Sequence, residues 1–77
     1  MSWTFRVDHT AIVKDAQGRW WKVEIKADSF DTFSWVARPI QWAGDITISS
    51  GRAAWPERHE AQQAAATTLS AMGFTDE

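Results

Sequence analysis

The chain has no cysteine, only four glycines and two prolines among its 77 residues, and no long apolar run. Without cysteine, the fold contains neither a disulfide nor a thiolate-bound metal, so burial alone must stabilise it. No apolar stretch approaches the roughly 20 residues that span a bilayer, and the chain does not start with a basic segment followed by an apolar one. We therefore expect one soluble, cytoplasmic domain over residues 1–77.

Motifs that would support catalysis or metal binding are absent as well. The four glycines do not cluster into a phosphate-binding loop, and no serine lies in a nucleophile elbow. The two histidines, His9 and His59, lack the spacing of a zinc-binding helix. We expect a non-enzymatic protein without a metal or a cofactor, in which His9 is structural and His59 lies at the surface.

The chain is rich in aromatic side chains, with six tryptophans and four phenylalanines. Each can bury roughly 150–250 Å², which suits a small domain without disulfides. Six tryptophans exceed what so small a core buries completely, so we expect one or more of Trp20, Trp42 and Trp55 to be partly exposed. The net charge of −2 gives no overall attraction to nucleic acid or to anionic membranes.

Alternation of apolar and polar residues predicts an antiparallel sheet. Odd-numbered positions from Trp3 onward are mostly apolar, and the same parity continues over residues 21–27 after a turn at residues 15–18. These two segments are expected to form a hairpin. A second polar turn at residues 28–31 leads to a third strand that bends or ends at Pro39. Residues 45–49 are a candidate fourth strand.

Residues 56–72 carry the signals of one helix. Pro56 suits the first helical position, while Gly73 and Phe74 suit a Schellman motif in which Phe74 contacts Leu69, before a tail at residues 74–77. Small and apolar residues at three-and-four spacing predict its sheet-facing stripe. The stripe consists of Ala61, Ala64, Ala65, Thr68, Leu69 and Met72. The predicted fold class is α+β: an antiparallel three- or four-stranded sheet with one C-terminal helix packed on one face.

The sheet face that this helix leaves uncovered is the candidate functional surface. Basic residues outnumber acids on it if strand parity holds. The candidate interface residues are Trp20, Val36, Arg38, Ile40 and Trp42. Uncovered apolar strand residues favour burial by another protein surface, and a second copy of the chain is the simplest cover. We predict a small interaction module that forms a homodimer or docks to a protein partner through this face or an edge strand.

Nucleic-acid binding through the same face is the alternative. Arg6, Lys22, Lys26 and Arg38 would contact phosphates, and Trp20 or Trp42 would stack on bases. A third interpretation is an ordinary solvated strand face, on which long basic side chains pack beside tryptophan.

Overall fold

The computed structural model describes residues 3–28 and 30–76. Its elements in chain order are β1 (Thr10–Lys14), β2 (Trp20–Ala27), β3 (Phe33–Pro39), β4 (Ile48–Ser49), α1 (Arg58–Ala71) and β5 (Thr75–Asp76). Ser29 of the predicted second turn and Glu77 of the predicted tail lie outside the described residues. Within the two described ranges, no helix is long and apolar enough to cross a membrane.

The strands form one antiparallel sheet in the order β4-β3-β2-β1-β5. The predicted hairpins are present, since Val13 pairs with Trp21 between β1 and β2, and Val23 pairs with Ala37 between β2 and β3. The helix packs against β2 and β3 and carries the chain from one edge of the sheet to the other. The predicted α+β class is confirmed, with five strands in place of the three or four expected.

The fifth strand forms where the sequence predicts a tail. The helix ends in a Schellman motif, in which the Gly73 N–H donates to the Ser70 carbonyl and the Phe74 N–H to the Leu69 carbonyl, each at 3.0 Å. Gly73 has a φ of 95°, which glycine adopts without strain. The predicted cap is therefore confirmed. Because the cap reverses the chain and buries Phe74, Thr75 is brought beside β1 and forms an edge strand instead of a tail.

The first strand is shorter than the alternation predicts. The chain turns just before β1, where His9 has a φ of 65° and the Val7 side chain is 99% exposed. Asp8 stabilises this turn, because its Oδ1 accepts hydrogen bonds from the Thr10 hydroxyl at 2.7 Å and from the Thr10 N–H at 3.3 Å. Trp3 still reaches the core ahead of the turn. One continuous strand from residue 3 is therefore wrong, and β1 begins at Thr10.

The core lies between α1 and the odd-numbered face of the sheet, which we call the inner face. Its buried members are Trp3, Ala11, Val13, Trp21, Val23, Trp35, Ala37, Ala65, Ala66, Leu69 and Phe74. Large rings on the sheet meet alanines on the helix, so the two layers pack closely. The helix begins at Arg58 instead of Pro56. Part of the predicted stripe is wrong. Met72 lies beyond the helix end, and the buried side of the helix includes Ala66 in place of Thr68, which is exposed.

Candidate functional site

The sheet face opposite α1, which we call the outer face, is built by the even-numbered residues of β1, β2 and β3. Residues paired across neighbouring strands point to the same side of a sheet. The rows on this face are Lys14–Trp20, Ile12–Lys22–Arg38, Thr10–Glu24–Val36 and Lys26–Ser34. The predicted surface is therefore present across β1, β2 and β3.

The outer face is basic. Its strands carry Lys14, Lys22, Lys26 and Arg38 but only one acid, Glu24. Its net charge is thus +3, in a chain whose net charge is −2. Lys26 and Arg38 are exposed, whereas Lys14 and Lys22 are half-buried, so their stems pack on the sheet while their charged ends stay near solvent. This segregation of charge attracts anionic groups to the outer face.

A concavity of about 350 Å³ opens at one end of the outer face. It is lined by Arg6, Ile12, Trp20, Ile40 and Gln41. The Ile40 N–H donates to the Trp20 carbonyl at 3.1 Å, and Gln41 then turns the chain with a φ of 64°. The Lys14 ammonium lies 4.6 Å from the centre of the Trp20 ring. The concavity therefore combines half-buried apolar side chains with adjacent cations.

Trp42 does not lie on the outer face, which corrects the predicted interface. Its ring centre is 5.5 Å from that of Trp21 in a T-shaped contact, and it packs against the core. The Trp42 indole N–H donates to the Trp20 carbonyl at 2.7 Å, and the Arg19 guanidinium lies 4.4 Å from the Trp42 ring centre. Strand alternation stops where β3 ends, and the positive φ of Gln41 turns Trp42 to the inner side.

The remaining predicted interface residues share the outer face but differ in exposure. Arg38 is exposed, while Trp20 and Ile40 are half-buried. Val36 is only 8% exposed, because Glu24 and Ser49 flank it in the neighbouring strands, so it contributes to packing within the sheet. Five residues of the nucleic-acid alternative share this face: Arg6 lines the concavity at one end, and Lys22, Lys26, Arg38 and Trp20 belong to the outer-face rows, whereas Trp42 does not. The expectation of partly exposed tryptophans is confirmed for Trp20, Trp42 and Trp55, each half-buried.

Asp15 organises the β1–β2 turn, a role that the sequence prediction missed. One carboxylate oxygen accepts the backbone N–H groups of Gln17 and Arg19, both at 2.9 Å. The other accepts the Arg19 side-chain Nε–H at 2.8 Å and the Trp21 indole N–H at 3.0 Å. The Asp15 side chain is only 7% exposed. Burial by itself raises the pKa of Asp15, but the hydrogen bonds from Trp21, Arg19 and Gln17 outweigh it and lower the pKa to about 2.

These bonds connect the turn to the outer face. Asp15 fixes the Arg19 guanidinium, which covers the ring of Trp42, and Trp42 in turn donates to the Trp20 carbonyl. The position of Trp20 at the concavity is thus supported from the inner side of the sheet. Aspartate is common at the first position of a tight turn, so the sequence could have predicted the two hydrogen bonds from backbone N–H groups to Asp15. No local pattern indicates the hydrogen bond from Trp21.

A second hollow, of about 260 Å³, lies beside the β1–β2 turn, β4 and the end of α1. Its lining includes two exposed apolar side chains, Ile46 at 57% and Met72 at 51%. Asp15 and Arg19 also line it, but they neutralise each other. Its charge therefore favours no particular class of partner.

One group of three potential metal ligands occurs among the described residues, at the start of α1. The ligand atoms of Glu57, His59 and Glu60 lie within 4.8 Å of one another. His59 Nε2 is 3.4 Å from Glu57 Oε2, so direct contact between these two side chains accounts for their proximity, and we assign no metal to the group. His59 is exposed, as expected. His9 is half-buried, and its backbone carbonyl accepts the Ile25 N–H at 3.2 Å.

No protein-family model, curated protein or solved structure matches this chain.

Proposed function

We propose that this protein is a small, non-enzymatic interaction module that binds a protein partner through the outer face. The observation that carries the proposal is the combination of a net charge of +3 with a concavity of mixed polar and apolar lining on the sheet face that α1 leaves uncovered. Concave sites that pair apolar lining with a few oriented polar groups are typical binding sites. As part of the same proposal we place the protein in the cytoplasm, because a chain without cysteine gains no disulfide from an oxidising compartment.

The face is a better docking surface than the edges of the sheet. The two edge strands, β4 and β5, contain only two residues each. Very short edge strands offer few free backbone groups for strand addition. The partner surface that meets the outer face must in turn be acidic, because two outer faces of charge +3 repel each other when simply stacked.

Nucleic acid is the second candidate, and the positive charge of the outer face is the observation that favours it. Phosphates would meet Lys22, Lys26 and Arg38. The outer face offers few rings for base stacking, however, because Trp20 is the single tryptophan in the outer-face rows. Single-strand binders stack successive bases on several aromatic side chains. A protein partner is therefore favoured.

Charge reversal at matched positions tests the proposal. Arg38 and Arg52 are both exposed, but only Arg38 belongs to the outer-face rows. Proteins captured from cell extract by the wild-type chain and by Arg52→Glu should be lost with Arg38→Glu. Capture that is equal for both variants would contradict docking through the outer face. Binding of mixed-sequence oligonucleotides that weakens steeply with salt would support the second candidate instead.

A further inference from the structure

Resting on the proposed function, we infer that the outer-face concavity binds the β2–β3 turn of a second copy of this chain. Phe30 of one copy enters the concavity of the other, and Asp31 meets the cations around it. The outer face requires a partner that presents an apolar group together with acids, and the chain carries such a group itself.

The concavity fits one apolar side chain with an acidic neighbour. Ile12, Trp20 and Ile40 are half-buried there, so part of their apolar surface remains in water. The lining includes no acid. Lys14 pairs with Trp20, and Lys22 pairs with Ile12, which places two further cations beside the apolar lining.

The β2–β3 turn presents the complementary chemistry. Phe30 is 88% exposed, more than any other large apolar side chain except Val7 among residues 3–28 and 30–76. Asp28 and Asp31, both exposed, lie on either side of it in the chain. The Asp28 N–H donates to the Thr32 carbonyl at 2.7 Å, and Asp31 has a φ of 56°. This hydrogen bond joins the two ends of the turn, and Phe30 and Asp31 are exposed to solvent between them.

The contact has to be intermolecular. Trp20 begins β2 and Ala27 ends it, so the concavity and the turn lie at opposite ends of this eight-residue strand. At about 3.3 Å per residue the separation is roughly 25 Å. If two outer faces are opposed with their strands antiparallel, each turn lies over the other copy's concavity. This two-fold arrangement closes on itself, and the acidic turns offset the repulsion between the two basic faces.

Sedimentation equilibrium over a wide concentration range tests the inference. Because each copy contributes only one turn and one concavity, the contact is expected to be weak, with a dissociation constant on the order of 0.1 mM. Phe30→Ser and Ile40→Asp should each weaken dimerisation by about tenfold or more. Val7→Ser is the control for loss of an exposed apolar side chain, and Ile46→Asp is the control for the added charge. Both controls should dimerise as the wild type does.

Mixing the two variants gives the decisive measurement. Phe30→Ser keeps the concavity and Ile40→Asp keeps the turn, so an equimolar mixture should form a heterodimer through the one intact contact. Should Ile40→Asp fail to fold, Ile12→Asn replaces it. A wild-type chain that stays monomeric to about 1 mM, equal effects of Phe30→Ser and Val7→Ser, or no heterodimer in the mixture would each overturn the inference. If the wild-type chain is monomeric but captures a protein, and Arg38→Glu abolishes that capture, the inference is wrong and the proposed function is still supported.

Discussion

Two buried tryptophans should respond in opposite ways to removal of the indole N–H. Trp21 is 2% exposed and donates to Asp15 at 3.0 Å. Trp35 is 4% exposed, and its indole N–H has no hydrogen-bond partner among residues 3–28 and 30–76. Replacing each by phenylalanine removes the same atoms from the same inner face, so the cavity terms are similar. The difference between the two variants therefore reports on the hydrogen bond together with the edge-on contacts of the Trp21 ring to Trp42 and Phe74.

The magnitude follows from what each N–H contributes. A hydrogen bond to a charged group stabilises a fold by about 1.5–3 kcal/mol, and Trp21→Phe leaves the buried Asp15 carboxylate with one donor fewer. A buried polar group without a partner costs about 1–3 kcal/mol, and Trp35→Phe removes that cost. Trp21→Phe should therefore be less stable than Trp35→Phe by at least about 2 kcal/mol, a large share of the free energy of unfolding of a small domain.

Urea unfolding followed by far-UV circular dichroism provides the comparison. The free energies of unfolding are comparable if both variants keep the wild-type m-value. The indole N–H signals in proton–nitrogen NMR spectra check that the other five tryptophans keep their environments. Equal destabilisation, or greater destabilisation by Trp35→Phe, would refute the assignment of Trp21 as the hydrogen-bonded ring and Trp35 as the unsatisfied one.

Three further changes test the packing, the turn and the helix end. Ala65→Leu should overpack the interface between α1 and the sheet and lower the free energy of unfolding by about 1–3 kcal/mol, whereas exposed Gln63→Leu should be nearly neutral in the same urea titration. Folding lowers the pKa of Asp15 from 3.8 to about 2, so the stability that ionised Asp15 contributes is complete above pH 3.8 and is lost as the pH falls toward 2. Asp15→Asn should therefore flatten the pH dependence of the free energy of unfolding between these values. An unchanged slope would contradict the lowered pKa. Gly73→Ala should lower the melting temperature more than Gly51→Ala. Both glycines have a positive φ, but of the two only Gly73 would place the added Cβ 3.0 Å from another side chain. Equal shifts in melting temperature would argue against a crowded helix end.

The hairpins and the helix could be predicted because local patterns determine them. Alternation from Trp21 to Ala27 is carried by a regular strand, and Gly73 supplies the positive φ that the helix end requires. Both signals are complete within a few residues of the chain. Alternation therefore predicted which strand residues face the core, and Gly73 predicted where the helix ends.

The misplaced residues depend on hydrogen bonds that the alternation of apolar and polar residues does not indicate. Alternation ahead of β1 fails because Asp8 bonds to Thr10 and turns the chain. Trp42 leaves the outer face because Gln41, a residue with no special preference for positive φ, adopts it where Trp42 can bond to the Trp20 carbonyl. In each case a specific hydrogen bond, local at Asp8 and long-range at Trp42, overrides a pattern of period two. The predicted basic charge of the outer face is nevertheless correct, because its residues lie in the regular strands β1, β2 and β3.

The pairing of β5 with β1 brings the two ends of the described chain together. The Thr4 N–H donates to the Asp76 carboxylate at 3.0 Å, although the two residues are 72 positions apart. Adjacent ends of this kind tolerate circular permutation. A permutant that joins these ends and opens at the β2–β3 turn would convert the most distant strand pair into a local hairpin. The same opening would place β2 and β3, which pair over seven residues, at opposite ends of the permuted chain. Its contact order would therefore rise, so it should fold more slowly than the wild-type chain.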